Sequence, residues 1–116
     1  MSKPVGPYSP IVRTGAWLVC SGQVGIVDGA LVDGFAAQCR QVFANIRTVL
    51  ASEGGSLTDV VKATVFLVDM GQYAEMNEIY VEEFDGHRPA RSAVAVAALP
   101  LGALVEIEVW ARVEGV

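Results

Sequence analysis

Hydrophobic positions along this chain fall at two periods. From Phe35 they recur at Cys39, Val42, Phe43, Ile46, Val49 and Leu50, which draws one stripe along a helix. Gln38, Arg40, Gln41 and Arg47 fall largely outside that stripe, and Gly54-Gly55 stops it, so the spacing predicts a helix over 35–50. A second helix is predicted over 71–84, with Tyr73, Met76, Tyr80 and Phe84 on its apolar face. Asn77 lies among them, and Glu75, Glu78, Glu82 and Glu83 mostly form the wet side. The rest alternates as strands do. A β-branched run over 61–69 reads as a strand buried on at least one face. Over 104–113, Val105, Ile107, Val109, Ala111 and Val113 make a wholly apolar face, opposite Leu104, Glu106, Glu108, Trp110 and Arg112. From Arg91 another strand sets Arg91, Ala93, Ala95 and Ala97 against Ser92, Val94, Val96 and Ala98. The valine side suits an apolar neighbour, and the narrow arginine–alanine side leaves room for a backbone or a ligand. Near the start, 11–13 and 17–20 flank Thr14-Gly15-Ala16 as a hairpin, with Trp17, Val19, Ser21 and Gln23 on one face. Asp28-Gly29 signals a tight turn. The order β-β-α-β-α-β-β gives an α+β fold whose two helices cover one face of the sheet. The other face, half apolar, is expected to be buried against copies of the chain.

Composition sharpens this. The chain has 116 residues, the size of one domain spanning 1–116. Hydrophobic residues reach 53% against 18% charged, with a mean hydropathy of +0.44, apolar enough to suggest surface buried in an oligomer. A net charge of -5 and the absence of a basic run argue against nucleic acid as a partner. No apolar run approaches membrane-spanning length, and 1–7 contain no apolar leader segment, so the expectation is a cytoplasmic protein without membrane contact. Cys20 and Cys39 form no CxxC pair and read as free thiols, Cys39 within the helical stripe. His87 is the single histidine, which argues against a zinc site or a Ser-His or Cys-His dyad. No glycine-rich phosphate loop appears.

Four places carry candidate chemistry. Pro89 biases Arg88 towards extended backbone, and Arg91 then stands at the mouth of a strand of small residues. Such an arginine is either a surface charge or a binder of a planar anion such as a carboxylate. Ser21-Gly22-Gln23 closes the second strand, either as an ordinary terminus or as backbone open to a ligand. Asn77 sits at a helix edge or braces a loop near a site. Glu106 lies on a face that mixes carboxylates with Trp110, a wet exterior or a site.

Gly6-Pro7-Tyr8-Ser9, Cys20-Ser21-Gly22-Gln23, Gln38-Cys39-Arg40-Gln41 with Asn45-Ile46, the run from Val60 to Leu67, Met76-Asn77-Glu78-Ile79-Tyr80, Arg88-Pro89-Ala90-Arg91-Ser92 and Val105-Glu106-Ile107-Glu108 together resemble the RidA/YjgF family. The match runs in order across nearly the whole chain, and Arg-Pro-Ala-Arg-Ser is its most specific part. The resemblance implies a chorismate-mutase-like fold and a homotrimer whose sheets form a central barrel, with sites in the clefts between subunits. It implies hydrolysis of reactive enamines and imines to 2-oxo acids and ammonia, without a cofactor or a metal. By the same resemblance Arg91 is the substrate-carboxylate arginine and Glu106 positions or activates the attacking water. Tyr8 and Ser21 match pocket residues; Gly22 and Asn77 match positions lining or supporting the pocket. Ala93 stands where many members carry a cysteine, which leaves the substrate range open, and the loop over 24–33 is short.

The chemistry of the residues agrees with that implication. A bidentate guanidinium would fix the carboxylate plane of a 2-imino acid, and with it the imine carbon. A carboxylate would then orient water and move protons. Two other classes of function stand beside this one: a non-catalytic 2-oxo acid sensor or chaperone-like interaction protein using the same clefts, and an endoribonuclease or translation inhibitor. The acidic charge and the lone His87 argue against the last.

Overall fold

The computed structural model describes residues 4–114. The chain opens with a hairpin, β1 (Ile11–Thr14) and β2 (Trp17–Cys20), followed by a two-residue strand, β3 (Gln23–Val24). A small ribbon follows, β4 (Ile26–Val27) and β5 (Ala30–Leu31). It turns at Asp28-Gly29 with φ of 52° and 82°, the left-handed pair that a two-residue hairpin needs. Then come α1 (Phe35–Ala51), β6 (Val60–Leu67), a 3-10 turn over Met70–Gln72, α2 (Tyr73–Phe84), β7 (Ala90–Ala95) and β8 (Val105–Arg112). The main sheet runs β1-β2-β8-β6-β7, with β3 also paired to β8. Neighbours are antiparallel except β6 and β7, which run parallel because α2 carries the chain back between them.

The core lies between one face of this sheet and the two helices. The whole predicted stripe of α1 is buried, and so are Val105, Ile107, Val109 and Ala111 of β8. Leu18 and Cys20 of β2 and Ala63, Val65 and Leu67 of β6 complete the floor. A fully buried aliphatic or phenyl side chain contributes roughly 1.5–3 kcal/mol, so this one face supplies most of the drive to fold. Burial pushes the two thiols up, Cys20 to about 11 and Cys39 to about 12, so neither is a thiolate near neutral pH. The opposite face leaves Val94 and Trp110 exposed.

Four details differ from the sequence pattern. Arg91 and Ala93 turn towards the helices, where Ala93 packs on the core, while Val94 is on the open face, so the arginine–alanine side is the one that meets the helices. β7 ends at Ala95, after which Val96 N–H donates to Leu67 O at 2.8 Å. Gln38, outside the apolar stripe, is nevertheless buried, because its Oε1 accepts from Leu104 N–H at 2.9 Å. Finally, Leu18 stands opposite Ala111 and Val19 opposite Trp110, but Gln23 stands opposite Ile107 where unbroken alternation would put it opposite Glu106. One extra residue is therefore inserted between Val19 and Gln23, and the face predicted from Trp17 to Gln23 breaks there.

Candidate active site

Arg91 is placed by β7 and held by α2. Tyr73, Met76, Asn77 and Tyr80 are spaced i, i+3, i+4 and i+7, so they share one strip of the helix, and that strip faces the guanidinium. Arg91 Nη1 donates to Asn77 Oδ1 at 2.7 Å and Nη2 donates to Tyr73 Oη at 2.8 Å. The Met76 sulfur lies 4.0 Å from Nη1. The guanidinium carbon sits 4.9 Å from the Tyr80 ring centroid and 5.5 Å from that of Tyr73. Two of its five N–H groups are thus engaged by strong acceptors, and the cation is cradled by two π-faces. Asn77, the amide on an apolar helix face, is a positioner of Arg91. Tyr73, read from the pattern as core, is partly exposed and serves the same arginine; its spacing from Asn77 is the signal that could have found it.

Glu106 is placed by backbone. It lies on the open face of β8, opposite Val24 on one side and Phe66 on the other. The inserted residue before β3 brings Gly22 onto its carboxyl: a Cβ at Gly22 would stand 2.7 Å from the carboxyl carbon. Burial pushes the Glu106 carboxyl above the usual carboxylate range, and the like charge of Glu108 adds to the effect. Ser21 Oγ donates to Ser9 O at 2.6 Å and ties the segment bearing Tyr8 beside this corner. Tyr8 Oη accepts from Val5 N–H at 3.3 Å. Tyr8 and Gly22 line a cavity of about 280 Å³ that reaches Gln41 and Asn45 of α1. The pattern offered no role for those amides, yet they fasten the strip. Asn45 Nδ2 donates to Val24 O and Ile26 O, each at 3.0 Å, and its Oδ1 accepts from Gln41 Nε2 at 2.9 Å.

The seven predicted residues therefore separate into two corners. Tyr8, Ser21, Gly22 and Glu106 gather at one; Asn77, Arg91 and Ala93 gather at the other. β6 lies between β7 and β8, which puts Arg91 and Glu106 about 10 Å apart across the sheet. Arg91 stands level with Ala63 and Glu106 with Phe66, which adds about 10 Å along it, and the two side chains leave from opposite faces. Among the described residues, no group of three or more His, Cys, Asp or Glu is arranged to hold a metal. His87 Nε2 is 2.7 Å from Val60 O and its ring packs on Phe84. No helix there is long and apolar enough to cross a membrane.

A mixed sheet with two helices on one face, an arginine cradled on one side and a half-buried carboxyl on the other, defines a small α+β domain of a recurrent kind. The profile of the endoribonuclease L-PSP family matches residues 1–113, and the chain belongs to that family, the RidA/YjgF family. It is 46% identical to a RutC family protein of Pyrococcus horikoshii, over 97% of this chain and 91% of that protein. It is 43% identical to a mouse protein named 2-iminobutanoate/2-iminopropanoate deaminase, over 90% of this chain and 79% of that one. The crystal structure of RidA from an Antarctic Psychrobacter superposes with a TM-score of 0.94 at 44% identity, covering 96% of this chain and 92% of that one.

Proposed function

We propose that this chain hydrolyses 2-imino acids, and the enamines in equilibrium with them, to 2-oxo acids and ammonia. The site is completed between copies in a homotrimer, the Arg91 corner of one copy meeting the Glu106 corner of the next. The observation that carries this reading is the separation of the corners. A cation with free donors and a desolvated carboxyl stand on opposite faces of one sheet, too far apart to share a substrate of a few atoms unless a second copy supplies one of them. The open face that bears Val94 and Trp110 is the surface such an assembly would cover. The name of the mouse relative supports the substrate class.

In this mechanism Arg91 takes the substrate carboxylate and so fixes the plane of the C=N bond. Water adds to the imine carbon while Glu106 accepts its proton and passes one to nitrogen. The carbinolamine then collapses: the C–N bond breaks, ammonia leaves and the carbonyl forms. One water is consumed for each ammonia released. A carboxyl with a pKa raised by burial moves protons closer to neutral pH than an exposed one would.

The test is a trapping assay. Imines made in situ by an amino-acid oxidase react with semicarbazide, and the protein is expected to lower semicarbazone formation. Arg91→Ala should lose about 10²-fold or more in kcat/KM, two charge-assisted bonds at roughly 1.5–3 kcal/mol each. Arg91→Lys should recover little, because a point charge does not reproduce a planar fork. Light scattering is expected to give a trimer. No acceleration with several imino acids, alongside binding of 2-oxo acids, would move the reading to a sensor. The family name raises RNA cleavage as a second reading. The net charge of -5, and a sole histidine held on a backbone carbonyl, weigh against it. RNA cleavage that survives Arg91→Ala and nuclease-free repurification would favour it.

A further inference from the structure

The surroundings of Arg91 hold more donors than acceptors. Asn77 Oδ1 and Tyr73 Oη engage two of the five guanidinium hydrogens, and Met76 offers only a weak sulfur acceptor at 4.0 Å. A second hydroxyl, Tyr80 Oη, has no hydrogen-bond partner, and it is the one buried side-chain polar atom among the described residues in that condition. Three guanidinium hydrogens and two phenol hydrogens therefore share one side of α2 with few acceptors among them. A corner so composed calls for an acceptor from outside, and an anion supplies acceptors without adding donors.

Tyr73 differs from Tyr80 in what its hydroxyl can reach. Its oxygen already accepts from Arg91 Nη2, so its own hydrogen is directed away from the guanidinium. The residue is 39% exposed, against 4% for Tyr80, so that hydrogen is available at the surface beside the remaining guanidinium donors. Accepting a hydrogen bond from a cation also polarises the O–H into a stronger donor.

We infer that Tyr73 is a second donor to the ligand carboxylate: with Arg91 it forms a two-residue clamp in which one carboxylate oxygen takes a hydrogen from Nη2 and the hydrogen of the Tyr73 hydroxyl. This rests on the reading of Arg91 as the carboxylate arginine and deepens it. The clamp favours a carboxylate: a neutral ester or amide at the same position keeps an acceptor oxygen but loses the charge assistance of both contacts.

The test is Tyr73→Phe, which keeps the ring and its 5.5 Å contact with the guanidinium while removing the hydroxyl. Calorimetry with 2-oxobutanoate and steady-state kinetics on an imine made in situ are read together. The expected result is an affinity for 2-oxobutanoate lower by about three- to tenfold, with KM raised by the same factor and kcat unchanged. Unchanged affinity and KM overturn the inference while the hydrolase reading stands. A fall in kcat at constant affinity also overturns it, since the carboxylate would then be held without the hydroxyl. Weaker binding in the variant, with no imine turnover even in the wild type, supports the clamp and removes the hydrolase reading instead. A wild-type protein that binds no 2-oxobutanoate and turns over no imine overturns both.

Discussion

At the Arg91 corner, four side chains from one strip of α2 hold a cation; at the Glu106 corner, a backbone insertion holds an acid. The first is built by helical spacing. Met76, Asn77 and Tyr80 each bring one contact and Tyr73 brings two, so removing one contact leaves the others in place. The second is built by close approach. Gly22 lies on the Glu106 carboxyl, Gly25 lies on the backbone of α1, and Asn45 ties the carbonyls of Val24 and Ile26 on either side of Gly25. A corner made of side chains tolerates change in small steps. Where the contact is with backbone, as at Gly25, there is no room for an added methyl group.

The sharpest way to break that contrast is a pair of glycine substitutions, and it carries the largest expected effect. A Cβ at Gly25 would stand 2.7 Å from Gln38 Cα and 2.8 Å from Gln38 O, atoms of a helix that cannot yield alone. Gly25→Ala should therefore lift β3 and β4 from α1 and lower stability by about 3 kcal/mol, read as a shift of the urea midpoint. Gly22→Ala meets a carboxyl at the end of a side chain, which can move aside. Its expected cost in stability is about 1 kcal/mol or less, while turnover falls by about 10²-fold because the carboxyl is displaced. Equal losses of stability in the two variants would show that the two glycines act as one structural unit.

The same contrast explains what was legible in the sequence. Periodicity reports which face a residue takes, so the α1 stripe and the apolar face of β8 were readable, and the Asp28-Gly29 turn was readable from its left-handed requirement. Periodicity does not report an inserted residue. The register slip before Gln23 was hidden, and with it the approach of Gly22 to Glu106. Nor does alternation say which side of a strand meets the helices. The side of Val94 looked like the one to pack, but Arg91 and Ala93 turn inwards, the guanidinium cradled by two tyrosine rings. Tyr73 was hidden because a phenol on an apolar stripe reads as core until its partner is known. The candidate residues were nameable from family resemblance, but their division between two corners required the sheet order.

Glu106→Gln sharpens the comparison by testing whether the backbone-built corner keeps its acid at a cost. The substitution preserves size and hydrogen bonding but removes proton transfer, so kcat should fall by about 10²-fold with 2-oxobutanoate affinity near wild type. Stability gives an independent check. The folded pKa of Glu106 is raised by burial, so the folded state binds its proton more tightly than the unfolded chain does. Below the unfolded value the carboxyl is protonated in both states and burial carries no charge penalty. As pH rises through the raised value the folded protein must bury a charge, and stability is lost. Glu106→Gln should therefore melt higher than wild type at pH 8, with the difference closing towards pH 3 at constant protein concentration. A difference that grows on acidification would mean that the carboxylate is stabilised where it lies, and would remove the raised pKa from the mechanism.

The smallest effect is expected from Tyr80→Phe, and it asks whether the side-chain corner is a sum of independent contacts. Tyr80 is 4% exposed and packs edge-on against Phe43 at 5.9 Å and tilted on Phe84 at 4.7 Å, with the Arg91 guanidinium over its ring. Its hydroxyl contributes no hydrogen bond, and burial raises its pKa further from ionisation. A buried polar group without a partner costs on the order of 1–3 kcal/mol, and the phenylalanine ring retains every packing contact and the π-face beneath Arg91. The variant should therefore be as stable as wild type or more stable by about 1 kcal/mol, with 2-oxobutanoate affinity unchanged. That result would leave Asn77 and Tyr73 as the groups that fix Arg91, each replaceable on its own. A loss of 1 kcal/mol or more, accompanied by weaker 2-oxobutanoate binding, would show that the hydroxyl reaches Arg91 through a bridging water. The corner would then be a connected network as intolerant of change as the one around Glu106.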